Sequence, residues 1–240
     1  MTEIKNLLSD RSHRPFALPA GPWKYYQEWD KVLFFHWKVP FDCLRNCVPE
    51  KFNIDRFDGD CYVSLVAFTI RKMKPRIFPA IKFISDFHEI NLRTYIDNNH
   101  KKGIYFLSIE AQKYLSAFIA RSVSGLPYQK SEIKRTDKSY QSINKTENFH
   151  LNTEFEVGQK LPHKTELDIW LTERYCLYLE RNKKAYRYDV HHREWELKNV
   201  YIKNLQLNYE IDNLALLGSL PDRVHYSDGV KVLVWQKQRI

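Results

Sequence analysis

The sequence predicts one α+β domain dominated by antiparallel β-sheet. Three observations carry that prediction. Residues 89–96 alternate with period two, Ile90, Leu92, Thr94 and Ile96 opposing Glu89, Asn91, Arg93 and Tyr95. Segments 32–39 and 61–70 are rich in β-branched and aromatic residues and are apolar on both faces. Against these stands one clear helical stripe, Ala111, Tyr114, Leu115, Phe118, Ile119 and Ser122, at the 3, 4 spacing within residues 110–124. The 240 residues are 43% hydrophobic and 28% charged, so the whole chain, 1–240, fits a single globular domain with its own core.

Residues 1–22 read as an extended N-terminal arm, because Pro15, Pro19 and Pro22 remove donors and exclude regular helix. On strand 32–39, Leu33, Phe35, Trp37 and Val39 share one face, and Val32, Phe34, His36 and Lys38 the other. A short helix follows, with Asp42 near its N-cap and Pro49 closing it. Phe57-Asp58-Gly59-Asp60 is a turn into strand 61–70. Loop 74–86 carries Ile77, Phe78, Ile81, Phe83 and Ile84, too apolar for a free linker, and is expected to pack over something. Residues 97–103 are a hairpin loop, and 104–109 return as a strand. Gly125 and Pro127 then stop the helix over 110–124. Further strands are expected at 128–134, 149–157, 166–171, 175–179, 185–191 and 230–235, with a second helix within 205–217.

Composition excludes several functions. No apolar run approaches the ~18 residues of a membrane span, and the first residues carry no secretory apolar core. Four cysteines make no disulfide framework, so a reducing cytoplasm is the expected compartment. Seven glycines and no phosphate-loop, nucleophile-elbow or zinc-protease string leave no cofactor and no metal expected. Cys43 and Cys47, four apart on a helix, lack further ligands, and His191-His192 point to opposite faces of a strand. The net charge of +9 is dispersed, with its densest patches at Arg71-Lys72-Met73-Lys74-Pro75-Arg76, Lys134-Arg135 and Arg181-Asn182-Lys183-Lys184. The last lies between two strand-like runs and reads as a hairpin tip. No nucleic-acid reader motif accompanies the charge.

Strands apolar on both faces fit a barrel or strongly curled sheet with something packed outside, and such sheets hold ligands inside. The face Glu89, Asn91, Arg93, Tyr95 sets an acid, an amide, a guanidinium and a phenol ~6.6 Å apart. Two readings fit it: a polar pocket wall that takes a carboxylate, or the solvated face of a half-buried strand.

The order of motifs narrows the choice. Phe57-Asp58-Gly59, Glu89-Ile90-Asn91-Leu92-Arg93-Thr94-Tyr95, Gly103-Ile104-Tyr105-Phe106-Leu107-Ser108, Gly125-Leu126-Pro127-Tyr128 and Leu171-Thr172-Glu173-Arg174-Tyr175 resemble the uncharacterised bacterial YqjF-like family. The proline arm and Phe35-His36-Trp37 extend the likeness over nearly the whole chain. That family is similar to the acetoacetate decarboxylase-like superfamily. The resemblance implies a closed, cone-shaped antiparallel barrel with a few helices and a buried pocket. In those decarboxylases a lysine just after a Gly-Phe-Pro turn forms a Schiff base, and a second lysine lowers its pKa.

By that likeness Glu89 is similar to the pocket glutamate and Gly125-Leu126-Pro127 to the turn. Tyr128 and Gln129 stand where the two lysines would be. The superfamily's first-strand arginine has no counterpart; Asp30 or Lys31 falls there. The leading expectation is a small-molecule-binding barrel whose ligand carries a carboxylate or carbonyl. Glu89, Asn91, Arg93, Tyr95, Tyr128 and Lys130 would contact it. The alternative is a lyase with Lys130 as Schiff-base amine and Glu89 assisting, since Lys130 lies two residues beyond Tyr128 on the same strand face. A weaker alternative is a basic module for nucleic acid. No membrane partner is expected, and the resemblance implies a homodimer.

Overall fold

The computed structural model describes residues 2–80, 85–113 and 126–240. Its described part is a 13-stranded, mostly antiparallel sheet with three short helices. Helix α1 (Thr2–Ser9) precedes β1 (Tyr25–Val39), α2 (Phe41–Asn46), β2 (Cys61–Pro75), β3 (Phe87–Asn98) and β4 (Lys101–Ala111). Strands β5 (Tyr128–Lys130), β6 (Glu132–Arg135), β7 (Ser139–Asn144) and β8 (Phe149–Lys160) follow. Helix α3 (Glu166–Thr172) leads to β9 (Cys176–Arg181), β10 (Lys184–His191) and β11 (Lys198–Asn208). The small hairpin β12 (Glu210–Ile211) and β13 (Leu214–Ala215) precedes β14 (Arg223–Val234) and β15 (Gln238–Arg239).

The strand order is β15-β10-β9-β4-β3-β2-β1-β14-β11-β8-β7-β6. β5 joins β4 in parallel, and β10 also pairs with β14. That last contact, Val190↔Val234 and His191↔Leu233, brings the path from β10 round to β14 back on itself. Where β4 meets β9 in parallel, a Cβ on Gly103 would lie 2.5 Å from the Cys176 carbonyl oxygen. Glycine lets the two backbones approach there.

The long strands explain the apolar pattern of both faces. Leu33, Phe35, Trp37, Val63 and Leu65 pack in one cluster with Phe155, Leu207 and Tyr209. Val32, Phe34, Val66 and Phe68 pack on the opposite side with Trp195 and Leu197. Two hairpins turn on pairs of left-handed residues, Asn99-His100 (φ 53° and 60°) and Asn182-Lys183 (φ 51° and 58°). This is the geometry that matches strand twist in a two-residue turn. The first shortens the expected 97–103 loop to its tip. The second is the hairpin tip that Arg181-Asn182-Lys183-Lys184 implied.

Several elements differ from the sequence reading. Residues 2–9 of the arm are helical, and Leu7 anchors α1 against Trp23, Tyr26, Leu233 and Trp235. The expected strand 166–171 is helix α3, because Thr165 and Asp168 form a reciprocal capping box that outweighs the alternation of Leu167, Ile169 and Leu171. The expected helix within 205–217 is the end of β11 plus the β12–β13 hairpin, since Leu205 and Leu207 pair against Thr153 and Leu151 of β8. The 128–134 strand breaks at Ser131 into β5 and β6. Glu110 and Ala111, expected to open a helix, finish β4, where Ile90↔Glu110 pairing continues the ladder. Gln112 and Lys113 are described and not helical, and the remaining 114–124 of that helix lie outside the described residues, as does Gly125. Of loop 74–86, Ile77 and Phe78 are exposed rather than packed, and 81–84 lie outside the described residues. No helix among the described residues is long and apolar enough to cross a membrane.

Candidate functional site

Strand register builds the site. Across β14, β1, β2, β3 and β4 one row reads Arg223, His36, Ser64, Arg93, Phe106, and the next reads His225, Phe34, Val66, Asn91, Ile109. A third, Phe68, Glu89, Ala111, crosses β2 to β4. Residues directly opposite in such rows hold their Cβ atoms about 5 Å apart on one face. Phe34, Val66, Phe68, Glu89, Asn91, Arg93 and Phe106 thereby line a cavity of about 520 Å³. Trp29, Trp195, Tyr128, Leu126 and Tyr188 complete much of its wall. Exposed Pro75, Phe78 and Pro79 also line it, so it reaches the surface at the end of β2.

The polar groups in this apolar wall are few, and Glu89, Asn91 and Arg93 are buried. Tyr128 Oη donates to Glu89 Oε2 at 2.9 Å, and Asn91 Nδ2 donates to Glu89 Oε1 at 3.1 Å. Burial pushes the Glu89 carboxyl up to about 7, although both hydrogen bonds favour its ionised form. The Tyr128 hydroxyl is raised far above its ordinary value by burial and then by Glu89. Asn91 Oδ1 and Arg93 Nε are buried without a hydrogen-bond partner. Arg93 is 8% exposed, and its guanidinium lies 5.6 Å from the Phe34 ring centroid. Among the described residues no carboxylate forms an ion pair with it. Burial lowers its pKa, with Arg174 adding to the effect.

The expected site residues therefore divide. Glu89, Asn91, Arg93 and Tyr128 come together on the cavity. Tyr95 is fully buried but is not on the lining: its ring packs 4.5 Å from Trp170, and its hydroxyl donates to the Leu171 carbonyl at 3.1 Å. A register shift between Leu92 and Arg93 accompanies this change along β3. Lys130 is exposed at the end of the three-residue β5 and is not on the lining. Asp30 and Lys31 also lie off it, paired with Arg71 (2.9 Å) and Asp137. Glu173-Arg174-Tyr175 is structural: Arg174 pairs with Asp55 at 2.6 Å, and Glu173 accepts from Tyr175 and Lys164.

Behind Arg93 runs a buried polar chain that the sequence reading missed. His36 Nδ1 lies 2.6 Å from Ser64 Oγ, which also bonds Tyr95 Oη. On the other side His36 Nε2 lies 3.2 Å from His225 Nδ1, and His225 Nε2 lies 2.9 Å from Asp168 Oδ1. Burial, then His225 and Arg93, hold His36 well below its usual pKa and hence neutral. Burial raises Asp168, but hydrogen bonds from His225, Thr165 and Arg223 outweigh it and hold the carboxylate ionised. The signal in the sequence was His36 on the second apolar face of β1. Its partners depend on register and on α3. The Cys47 thiol meets the Cys43 and Ile211 carbonyls at 3.5 Å, and burial pushes its pKa up to about 11.

Comparison with known proteins fits this frame. The family model described as "Uncharacterized conserved protein", DUF2071, matches residues 26–231. The chain belongs to the DUF2071 family. It is 33% identical over 229 residues to the uncharacterized protein YqjF of Bacillus subtilis (strain 168), covering 91% of this chain and 93% of that one. Among solved structures it is similar to an acetoacetate decarboxylase-like enzyme from Sphingomonas wittichii RW1, with TM-score 0.60, 14% identity and coverage of 94% and 97%. It is also similar to the enduracididine biosynthesis enzyme MppR complexed with pyruvate, with TM-score 0.59, 10% identity and coverage of 94% and 93%. At those identities the likeness is one of fold. The DUF2071 chain thus shares the acetoacetate decarboxylase-like fold.

Proposed function

We propose that this protein binds a small molecule with a carboxylate or carbonyl head and an apolar body inside a closed, barrel-like sheet. One observation carries the reading: a buried guanidinium without a carboxylate partner, Arg93, on the wall of an apolar cavity of about 520 Å³. A buried cation is costly unless paired, and a ligand carboxylate supplies the pair bidentately. The apolar walls of Trp29, Phe34, Phe68 and Trp195 favour the body of the ligand by area removed from water. The Glu89 carboxyl, protonated below about pH 7, donates to the ligand's second oxygen, and Tyr128 positions it. The pyruvate in the MppR complex is a ligand of this class in a related fold.

Lys130 has no place in this reading, because an exposed amine off the cavity meets no bound carbonyl. Lys74, the one lysine among the described lining residues, sits near the surface with its ammonium 5.8 Å from the Tyr26 ring centroid.

The test is calorimetric binding of straight-chain carboxylates from acetate to decanoate, with the matching alcohols as controls. Native protein is expected to bind the longer acids and to ignore the alcohols. Arg93→Gln, with an unchanged circular dichroism spectrum, is expected to lose at least about tenfold, the ~1.5–3 kcal/mol of a charged hydrogen bond. Equal affinity for acids and alcohols would sink the carboxylate assignment. Borohydride trapping with α- and β-keto acids adds the lyase test: a covalent adduct on Lys130 would replace binding by imine chemistry.

A further inference from the structure

The mouth of the cavity differs from the rest of the surface. Where β2 ends, Ile77 is 83% exposed and Phe78 60% exposed, and Phe78 also lines the cavity. Apolar side chains are therefore continuous from the exposed tip through Phe78, Pro75 and Met73 to the interior. Around this tip the charge is basic. Arg71, Lys72, Lys74 and Arg76 lie on the same segment, and Lys24 is beside them because Arg76 N donates to the Lys24 carbonyl at 2.8 Å.

The local acids are already engaged. Asp30 pairs with Arg71 at 2.9 Å and Glu28 with Lys72 at 3.1 Å, and Asp86 accepts from the Lys72 amide at 2.9 Å. Lys24, Lys74 and Arg76 form no ion pair among the described residues. Lys74 and Arg76 instead lie over the Tyr26 and Trp23 rings at 5.8 and 5.4 Å. Two exposed apolar side chains, with cations that form no ion pair on the same segment and the adjoining chain, at the door of an apolar cavity match one surface well. The face of an anionic bilayer takes apolar tips into its headgroup region and cations onto its phosphates.

We infer that this rim docks the protein on an anionic lipid surface, Ile77 and Phe78 entering the headgroup layer and Lys24, Lys74 and Arg76 meeting lipid phosphates. The cavity then opens onto the bilayer, and an amphiphilic ligand passes between them without crossing bulk water. That no helix among the described residues is long and apolar enough to cross a membrane does not bear on such a contact, which is peripheral. The contact itself stands without the bound ligand proposed above, which says only what the contact serves.

The experiment is co-sedimentation with vesicles of phosphatidylcholine alone and of phosphatidylcholine mixed with phosphatidylglycerol. Native protein is expected to bind the anionic vesicles at low salt and to leave the zwitterionic ones. It should release at about 0.5 M salt, where the Debye length is near 4 Å. Each basic residue near the surface is worth about fivefold in partitioning, so Lys24→Glu with Arg76→Glu should lose tenfold or more. Ile77→Ser with Phe78→Ser should lose binding at unchanged charge. All four positions are exposed, and an unaltered urea midpoint verifies folding.

No binding to anionic vesicles, or full binding by both double variants, overturns the proposal. So does a concentration-dependent dimer in sedimentation equilibrium that the serine pair dissolves, which would assign the patch to a second copy. Decanoate affinity, measured in parallel, tests the cavity reading separately. Vesicle binding without decanoate binding refutes that reading and leaves the docking surface standing.

Discussion

Glu89 keeps its proton near neutrality because almost no water reaches it, at 3% exposure, and because its two donors are neutral groups. The consequence for stability has a definite sign. The folded-state pKa of about 7 lies above the unfolded value near 4.5, so the folded chain holds this proton more tightly. Below pH 4.5 both states are protonated and the full stability is present. Between pH 4.5 and 7 the unfolded state ionises first and stability falls, by on the order of 3 kcal/mol at ~1.4 kcal/mol per pH unit. Glu89→Gln removes this slope, so the variant should gain on the native protein between pH 5 and 7 in urea titrations. Parallel curves would show that Glu89 ionises freely in the fold. An anionic ligand in the same cavity meets repulsion once Glu89 ionises. Its affinity should therefore decline above pH 7, with proton uptake on binding visible as buffer-dependent heat.

Helix α3 is the element on which the buried polar chain behind Arg93 depends. Asp168 accepts from the Thr165 amide at 2.8 Å, from Thr165 Oγ1, from Arg223 at 2.5 Å and from His225 at 2.9 Å. One carboxylate thus caps the helix and closes the His225–His36–Ser64 chain behind Arg93. Thr165→Ala should cost about 1 kcal/mol and Asp168→Asn on the order of 2 kcal/mol. Because the two share one reciprocal cap, the double variant should cost less than their sum by at least ~0.5 kcal/mol. Additive costs in a urea-denaturation cycle would mean that the box does not act as a unit. The same helix shows where sequence reading stops. Thr165-x-x-Asp168 is a readable start signal, yet seven residues with Leu167, Ile169 and Leu171 also alternate as a strand. Glu89, Asn91 and Arg93 were legible as one face because the pleat has period two. What stands opposite them, Phe34, Val66 and Phe68, follows from register between distant strands, which no local pattern encodes. Tyr95 and Lys130 share the face by parity. Trp170 and Leu171 of α3 cover Tyr95, and β5 ends at an exposed Lys130, so tertiary packing sets their actual surroundings.

At the scale of the molecule, the β10–β14 contact is a short joint, with two paired positions, as at β4–β9, against eleven or more along β1's flanks. The N-terminal segment reinforces it from outside. Leu7 is 4% exposed among Trp23, Tyr26, Leu233 and Trp235. Its carbonyl accepts from His191 Nε2 at 2.7 Å, and Arg14 Nη1 donates to the Val190 carbonyl at 2.6 Å. Residues 2–14 therefore hold the two strands whose Tyr188 and Val234 line the cavity. Leu7→Ala deletes buried apolar volume at this joint, which costs 2–5 kcal/mol in a rigid core and less where an eight-residue helix can detach. Detachment confines the damage, so native-state hydrogen exchange is the measurement that resolves it. Amides of residues 189–191 and 233–235 should exchange at least tenfold faster in Leu7→Ala, while the β1–β2 ladder keeps its native protection. Uniform acceleration across both ladders would mean that α1 supports the core as a whole. Unchanged exchange at the joint would mean that the two-position contact closes the sheet without the N-terminal segment.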